Sequence, residues 1–312
     1  MPITAAITNL DYAGFVVAVV VLLIGDLLWF HRRPKEVSFQ EALWGTLFWV
    51  LLATGFGIGF IYPKLGHEDA LEFALGYVIE LSLSMDNVFV IALILGYFAV
   101  PTQHQHRVLF WGIIGAIVMR GSLIILGVAV IQQFHWVIYL LGALLVFSGI
   151  KLLIGHDEEM RMEDNSIVRA VRKCVPLTKN FHGAKFWVRE KGRICLTPLG
   201  LVLILVETTD LMFAFDSIPA IFGVSDDSFI IFTSNIFAVL GLRSLYFALS
   251  HAIAKFRYLK AGIAVIVVFV GARMLGQHFF QISTGMSLLV VGMVLATSLA
   301  VSSAVDRMRK SK

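Results

Sequence analysis

Nine apolar stretches, each long enough to cross a lipid bilayer, divide the sequence near 12–30, 39–62, 70–97, 107–131, 135–154, 199–222, 228–251, 258–277 and 284–303. A spanning helix needs about 20 residues. The runs are continuous rather than alternating, which favours helices over the strands of a closed barrel. Composition agrees: 58% of the 312 residues are hydrophobic and 15% charged, against about 25% charged in a soluble domain. The expected fold is an all-α integral membrane protein of about nine transmembrane helices. The opening MPITAAITNLDYAG lacks the basic leader of a cleavable signal peptide, so the first span is expected to remain as an anchor.

Orientation follows from lysine and arginine. With the N-terminus outside, 21 of the 25 Lys and Arg fall in inner segments and only Lys64 falls in an outer loop; Arg120, Arg243 and Arg273 lie within spans. Such a split is what the positive-inside bias predicts for a multi-pass membrane protein, and the reverse orientation would violate it. The net charge of +4 therefore describes topology, and no nucleic-acid partner is implied. The one long polar segment, 155–198, begins HDEEMRMED and turns basic, with eight Lys or Arg from Arg169 to Arg193. It is expected to be a cytoplasmic loop lying on anionic headgroups. Its Cys174 and Cys195 lie on the reducing side and are expected to stay unpaired. His104 and His106, in a short inner connection, are expected to face solvent.

The apolar runs are interrupted by acids, and the interruptions repeat. ELSLSMDNVFVIAL (80–93) aligns with DLMFAFDSIPAIFG (210–223), so Glu80 meets Asp210, Asp86 meets Asp216 and Asn87 meets Ser217. MRGSLIIL (119–126) aligns with LRSLYFAL (242–249), pairing Arg120 with Arg243, and LVFSGIKLL (145–153) with VVFVGARML (267–275), pairing Lys151 with Arg273. Three correspondences in the same order indicate a duplicated three-helix unit, spans 3–5 and 6–8. An odd number of crossings per unit makes the two copies inverted, a common plan of secondary transporters. The expected organisation is an N-terminal two-span segment (1–69), a first three-helix unit (70–154), the loop (155–198), a second, inverted unit (199–277), and a last span with a basic tail (278–312).

A charge at a helix centre costs about 2.5–3.5 kcal/mol. Glu80, Asp86, Glu207, Asp210 and Asp216, left unpaired, would together cost on the order of 12–17 kcal/mol, comparable with a domain's whole stability. Arg120, Arg243 and Arg273 are the candidate charge-balancing partners, and three cations leave two anions over. That excess suits one divalent cation. Oxygen ligands without His or Cys favour Mn²⁺, Mg²⁺ or Ca²⁺. Met85 and Met212 lie beside the acids; as soft ligands they would favour Mn²⁺, and as packing they would be filler.

At 100° per residue, Glu80, Ser84 and Asn87 form one stripe, as do Asp210 and Ser217, with Glu207 60° away. Asp86 and Asp216 lie about 120° off these stripes. Either they face another helix, or the helices unwind between the acids; Pro219 and the Asp-Asn and Asp-Ser steps favour unwinding. Asp26 reads as interfacial and Asn235 as an interhelical hydrogen-bonding residue.

The motifs ELSLSMDN, DLMFAFDSIPAIFG and SNIFAVLGLRSLYFAL, over roughly 40–300, resemble the TerC/Alx family of bacterial membrane proteins, named for tellurite resistance. The resemblance implies an inner-membrane exporter of Mn²⁺ whose intramembrane acids form the ion site. By matching motif these are Glu80, Asp86, Asn87, Glu207, Asp210 and Asp216.

Two classes of function follow. One is a secondary transporter of divalent metal, carried as substrate with no resident cofactor and coupled to protons or sodium. The other is a non-transporting scaffold in tellurite resistance or in metal loading of exported proteins. No nucleophile–base pair, nucleotide-binding loop or haem motif marks an enzyme. Topology has a direct test: a reporter active only in the cytoplasm, fused after Lys312, is expected to give signal, and a periplasmic reporter active there would overturn the nine-span reading.

Overall fold

The structure, a computed structural model, describes the chain apart from residues 1–6, 31–37, 135, 155–168, 170, 172, 179, 191, 251–258, 277–281 and 311–312; the side chains of some helical residues, Asp26, Asp86 and Asp216 among them, also lie outside the described residues. It is 84% helical. The main helices are α1 (Asn9–Phe30), α2 (Phe39–Phe56), α3 (His67–Tyr97), α4 (Thr102–Gln133), α5 (Val137–Ile154), α6 (Pro198–Phe222), α7 (Ser228–Ser250), α8 (Leu259–Gly276) and α9 (Thr284–Lys310). After α2 the chain passes through a π-helical turn, Gly57–Ile61, and one more turn, Tyr62–Lys64. Among the described residues six helical stretches are long and apolar enough to cross a membrane, and Asn9–Gly25, Val137–Lys151 and Ala261–Gly276 are shorter apolar ones. Leu51, Ile125 and Phe147 are among many large apolar side chains on the outer surface, the arrangement a lipid solvent rewards. The chain is an all-α, multi-pass membrane protein.

Local sequence sets the helix ends. Ser38 and Glu41 form a capping box at the start of α2, with Glu41 N donating to Ser38 Oγ at 3.2 Å and Ser38 N to Glu41 Oε2 at 2.9 Å. Thr197 caps α6 by accepting from Gly200 N at 3.1 Å, just ahead of Pro198, which lacks the N–H that a first turn leaves unused. Asp227 Oδ1 accepts from Phe229 N at 2.7 Å and Ile230 N at 3.2 Å, starting α7.

Helix α7 is the most enclosed span and packs against α2, α3 and α4. Helix α3 also packs on α6 and α9, and α4 packs on α6. Helices α5 and α8 form the most extensive pair, made possible by glycine: a Cβ on Gly271 would lie 2.8 Å from the Gly142 carbonyl oxygen, and one on Gly149 3.0 Å from that of Ala264. Small residues at a crossing let backbones approach where lipid gives no hydrophobic drive.

Three expectations need correction. Helices α3 and α6 run unbroken through Asp86–Asn87 and Asp216–Ser217. Pro219 lies inside α6 and removes one amide donor, yet the helix continues to Phe222. Second, the described part of 155–198 is anchored to the bundle. Strands β1 (Trp187–Glu190) and β2 (Arg193–Leu196) pair as an antiparallel hairpin turning at Gly192, whose φ is 79°. Leu177, Phe181 and Phe186 pack against the apolar cluster that holds Leu196 together with Leu199 and Val202 of α6, and the Arg107 guanidinium stands 5.1 Å from the Phe186 ring centre. Cys174 and Cys195 are free thiols, the first exposed and the second buried. Third, His106 lies in α4 with its ring 4.4 Å from that of Phe247, so it is packed rather than solvated.

Candidate ion site

Four helices bring their polar residues to one interior seam. From α3 come Glu80, Ser84 and Asn87, four and three residues apart and hence on one face; all three are buried. From α6 come Asp210 and Ser217 and from α4 Arg120, again all buried, and from α7 comes Arg243, beside the cavity that Asp210 lines. The side chains of Asp86 and Asp216, which the sequence places in the same site, lie outside the described residues.

Arg120 is the hub. Its Nε donates to Asp210 Oδ2 at 3.1 Å and its Nη2 to Asp210 Oδ1 at 3.0 Å, the planar fork that suits a carboxylate. Its Nη1 donates to Glu80 Oε1 and, at 3.3 Å, to Ser217 Oγ. Asn87 Nδ2 adds a bond to Asp210 Oδ1 at 3.3 Å. One guanidinium thus ties α3, α4 and α6 together and serves the two carboxylates that the repeat aligns with each other. An arginine stays charged at any working pH, so this hub carries two acids against one fixed cation.

The seam is not saturated. Glu80 Oε2, Ser84 Oγ and Asn87 Oδ1 have no hydrogen-bond partner among the described residues, and neither amide atom of Asn235 on α7 has one. Each buried polar atom left so costs about 1–3 kcal/mol. Those of Glu80, Ser84 and Asn87 lie along one face of α3 as a row of hard oxygen acceptors. Beyond Asp210 lies a cavity of about 20 Å³, room for a water-sized guest. Asp210 and Arg243 are its charged walls, Ile91, Leu109 and Ile113 part of its apolar ones, and Tyr246 stands in its lining. The Tyr246 hydroxyl donates to Gln105 Oε1 at 3.2 Å, linking α7 to the start of α4.

Glu207, one turn before Asp210, is half-buried and turns its carboxylate towards α4 over Gly115 rather than into the Arg120 hub. Among the described residues no three His, Cys, Asp or Glu side chains converge into a closed metal cage. Arg273 does not reach the cluster: it lies at the end of α8 within electrostatic reach of Glu72. Neither methionine faces the site. Met212 is 63% exposed, 200° around α6 from Asp210, and Met85 packs among apolar side chains, 140° around α3 from Glu80. Two residues were underweighted in the sequence. Asn235 gave only the signal of an amide in an apolar run; Gly115 gave the spacing Gly112-x-x-Gly115 on the helix facing the acids.

The family profile described as "Integral membrane protein TerC family" matches residues 65–310. A membrane protein of Myxococcus xanthus, uncharacterized, is 45% identical over 93% of this chain and 91% of its own length. Relatives from Salmonella typhi and Escherichia coli strain K12 are 41% and 42% identical, covering 98% and 96% of this chain and 97% and 96% of theirs; both bear the name Alx, which proposes a membrane-bound redox modulator. No solved structure matches. By the extent of these matches, the chain belongs to the integral membrane protein TerC family.

Proposed function

We propose that this protein is a secondary transporter that exports divalent metal, Mn²⁺ foremost, from the cytoplasm through the seam between α3, α4, α6 and α7. The observation that carries the reading is the Arg120 hub: Glu80 and Asp210 share one guanidinium inside the membrane, beside buried oxygens with no partner among the described residues. A hub with more anionic than cationic charge favours a hard cation over a neutral solute, and its oxygen-only donors favour Mn²⁺, Mg²⁺ and Ca²⁺ over softer metals. Arg120 holds the two acids apart from water and competes with the metal for them, so binding stays releasable.

The architecture behind this reading is nine spans with an inverted repeat of α3–α5 and α6–α8. Supporting it, α3 packs on α7 as α6 packs on α4, and α5 packs on α8, as a two-fold relation between the copies requires. The lysine and arginine distribution supports an inner-membrane protein with the N-terminus outside and the C-terminus in the cytoplasm. In that orientation the cavity, which Leu109 and Tyr246 line, lies on the cytoplasmic side of Asp210, and the Tyr246–Gln105 bond links α7 to α4 at that end. Export against a gradient is coupled to an inward proton or sodium ion in this scheme.

Neutral isosteres test the acids. Glu80→Gln and Asp210→Asn are each expected to abolish Mn²⁺ export while the protein still inserts; a variant that lowers cellular manganese as well as the wild type does would remove that residue from the site. Arg120→Gln separates an ion site from a structural ion pair. Stranding two buried carboxylates is expected to cost about 3–5 kcal/mol of stability in metal-free buffer. Saturating Mn²⁺ is expected to restore most of that loss, because the divalent ion takes over the guanidinium's role. If melting curves of the variant ignore Mn²⁺, the hub is structural only and the scaffold reading gains.

A further inference from the structure

The carboxylate of Glu207 occupies the space that a side chain on Gly115 would fill. A Cβ built on Gly115 would overlap both Glu207 carboxylate oxygens and the carbon between them. One turn earlier on α4, a Cβ on Gly112 would approach Val206 Cγ1 to 3.3 Å, so the two glycines form a shallow notch along α4 facing α6. Gly112 and Val206 also line the cavity that reaches Asp210, so the notch runs along the cavity's edge.

Glu207 also differs from the other described acids of the seam. Glu80 and Asp210 are bound to Arg120, whereas Glu207 has no hydrogen bond or ion pair among the described residues and stands within electrostatic reach of Asp210. The corresponding contact in the repeat lacks the arrangement. Carried across the alignment, Glu207 corresponds to Tyr77 and Gly115 to Ala238, both buried in one apolar cluster. The acid–glycine pair therefore occurs at the contact of α4 with α6 and not at the corresponding contact of α7 with α3, so it is not a general rule of how these helices pack.

We infer that Gly115 is a positioning residue for the transported cation: its missing side chain seats the Glu207 carboxylate at the cavity's edge, where Glu207, uncommitted to arginine, is the acid that first meets a divalent ion on its way to Asp210. The inference rests on the ion-export reading above. Adding a methyl group at 115 displaces the end of a flexible side chain, so its effect falls on ion binding rather than on the fold.

Mn²⁺ affinity of the full-length protein, purified in detergent and titrated by calorimetry alongside thermal melting, tests it. Gly115→Ala is expected to weaken Mn²⁺ binding roughly 10–100-fold, the range for a misplaced supporting contact, with an unchanged melting temperature. Glu207→Asp draws the carboxylate back by about 1.5 Å, one carbon–carbon bond. Alone it is expected to weaken binding, and combined with Gly115→Ala to bind more tightly than Gly115→Ala by itself. Wild-type affinity in Gly115→Ala, or losses that simply add in the double variant, would overturn the inference. Should Gly115→Ala reduce the yield of folded protein, recovery of that yield by Glu207→Asp supports the same clash, and no recovery overturns it. Glu207→Gln serves as the separate control. If it binds Mn²⁺ like the wild type, Glu207 is no ligand and the export reading fails at this residue, irrespective of what the Gly115 variants do.

Discussion

A fully buried arginine in the middle of a membrane-spanning helix is the constraint on which the rest of this structure depends. Arg120 cannot lose its proton and cannot be left bare in hydrocarbon. It must find anions, and the fold supplies them from two other helices, Glu80 on α3 and Asp210 on α6. Those acids in turn are tolerable only because the guanidinium is there. The fork geometry explains why arginine suits this place better than lysine: a side-on pair of bonds to Asp210 leaves Nη1 for Glu80 and Ser217. Three helices are thereby fixed in register at one level, and the glycine-mediated α5–α8 crossing closes the bundle elsewhere.

The seam is built to be stable yet incompletely satisfied. An exclusively structural network would gain by pairing every buried polar atom, since half-satisfied networks are costly. Here Glu80 Oε2, Ser84 Oγ and Asn87 Oδ1 have no partner among the described residues, and Glu207 has no counter-ion among them. Among the described residues Glu80, Ser84 and Asn87 put three such atoms on one face of α3, and broken local rules are where function is expected. Among the described acids of the seam, Glu80 and Asp210 are held by a fixed cation and Glu207 has no ion pair.

Much of this was legible in the sequence because lipid leaves few options. The apolar runs became helices, six of them long and apolar enough to cross a membrane among the described residues, and 3.6-residue periodicity placed Glu80, Ser84 and Asn87 on one face and Asp210 with Ser217 on another. The Arg120 partnership followed from charge balance. What was not legible depends on tertiary context. Pro219 suggested an unwound helix, but α6 runs through it to Phe222. Met85 and Met212 stand beside the acids in sequence and away from them in space. Arg273 aligns with no acid of the cluster and lies near Glu72 instead. The rotation of Glu207 towards Gly115, and the docking of the hairpin after residue 186 onto α6, depend on which helix lies opposite, and no single-helix pattern encodes that.

The central claim is that a divalent cation crosses the membrane through this seam, and flux measures it most directly. Inside-out membrane vesicles containing the protein, given radiolabelled Mn²⁺ with an imposed proton or sodium gradient, are predicted to accumulate the metal. Accumulation is predicted to require Glu80 and Asp210 and to fall when Mg²⁺ or Ca²⁺ competes at high concentration. Vesicles that take up no more Mn²⁺ than protein-free controls, under either gradient, would contradict the account.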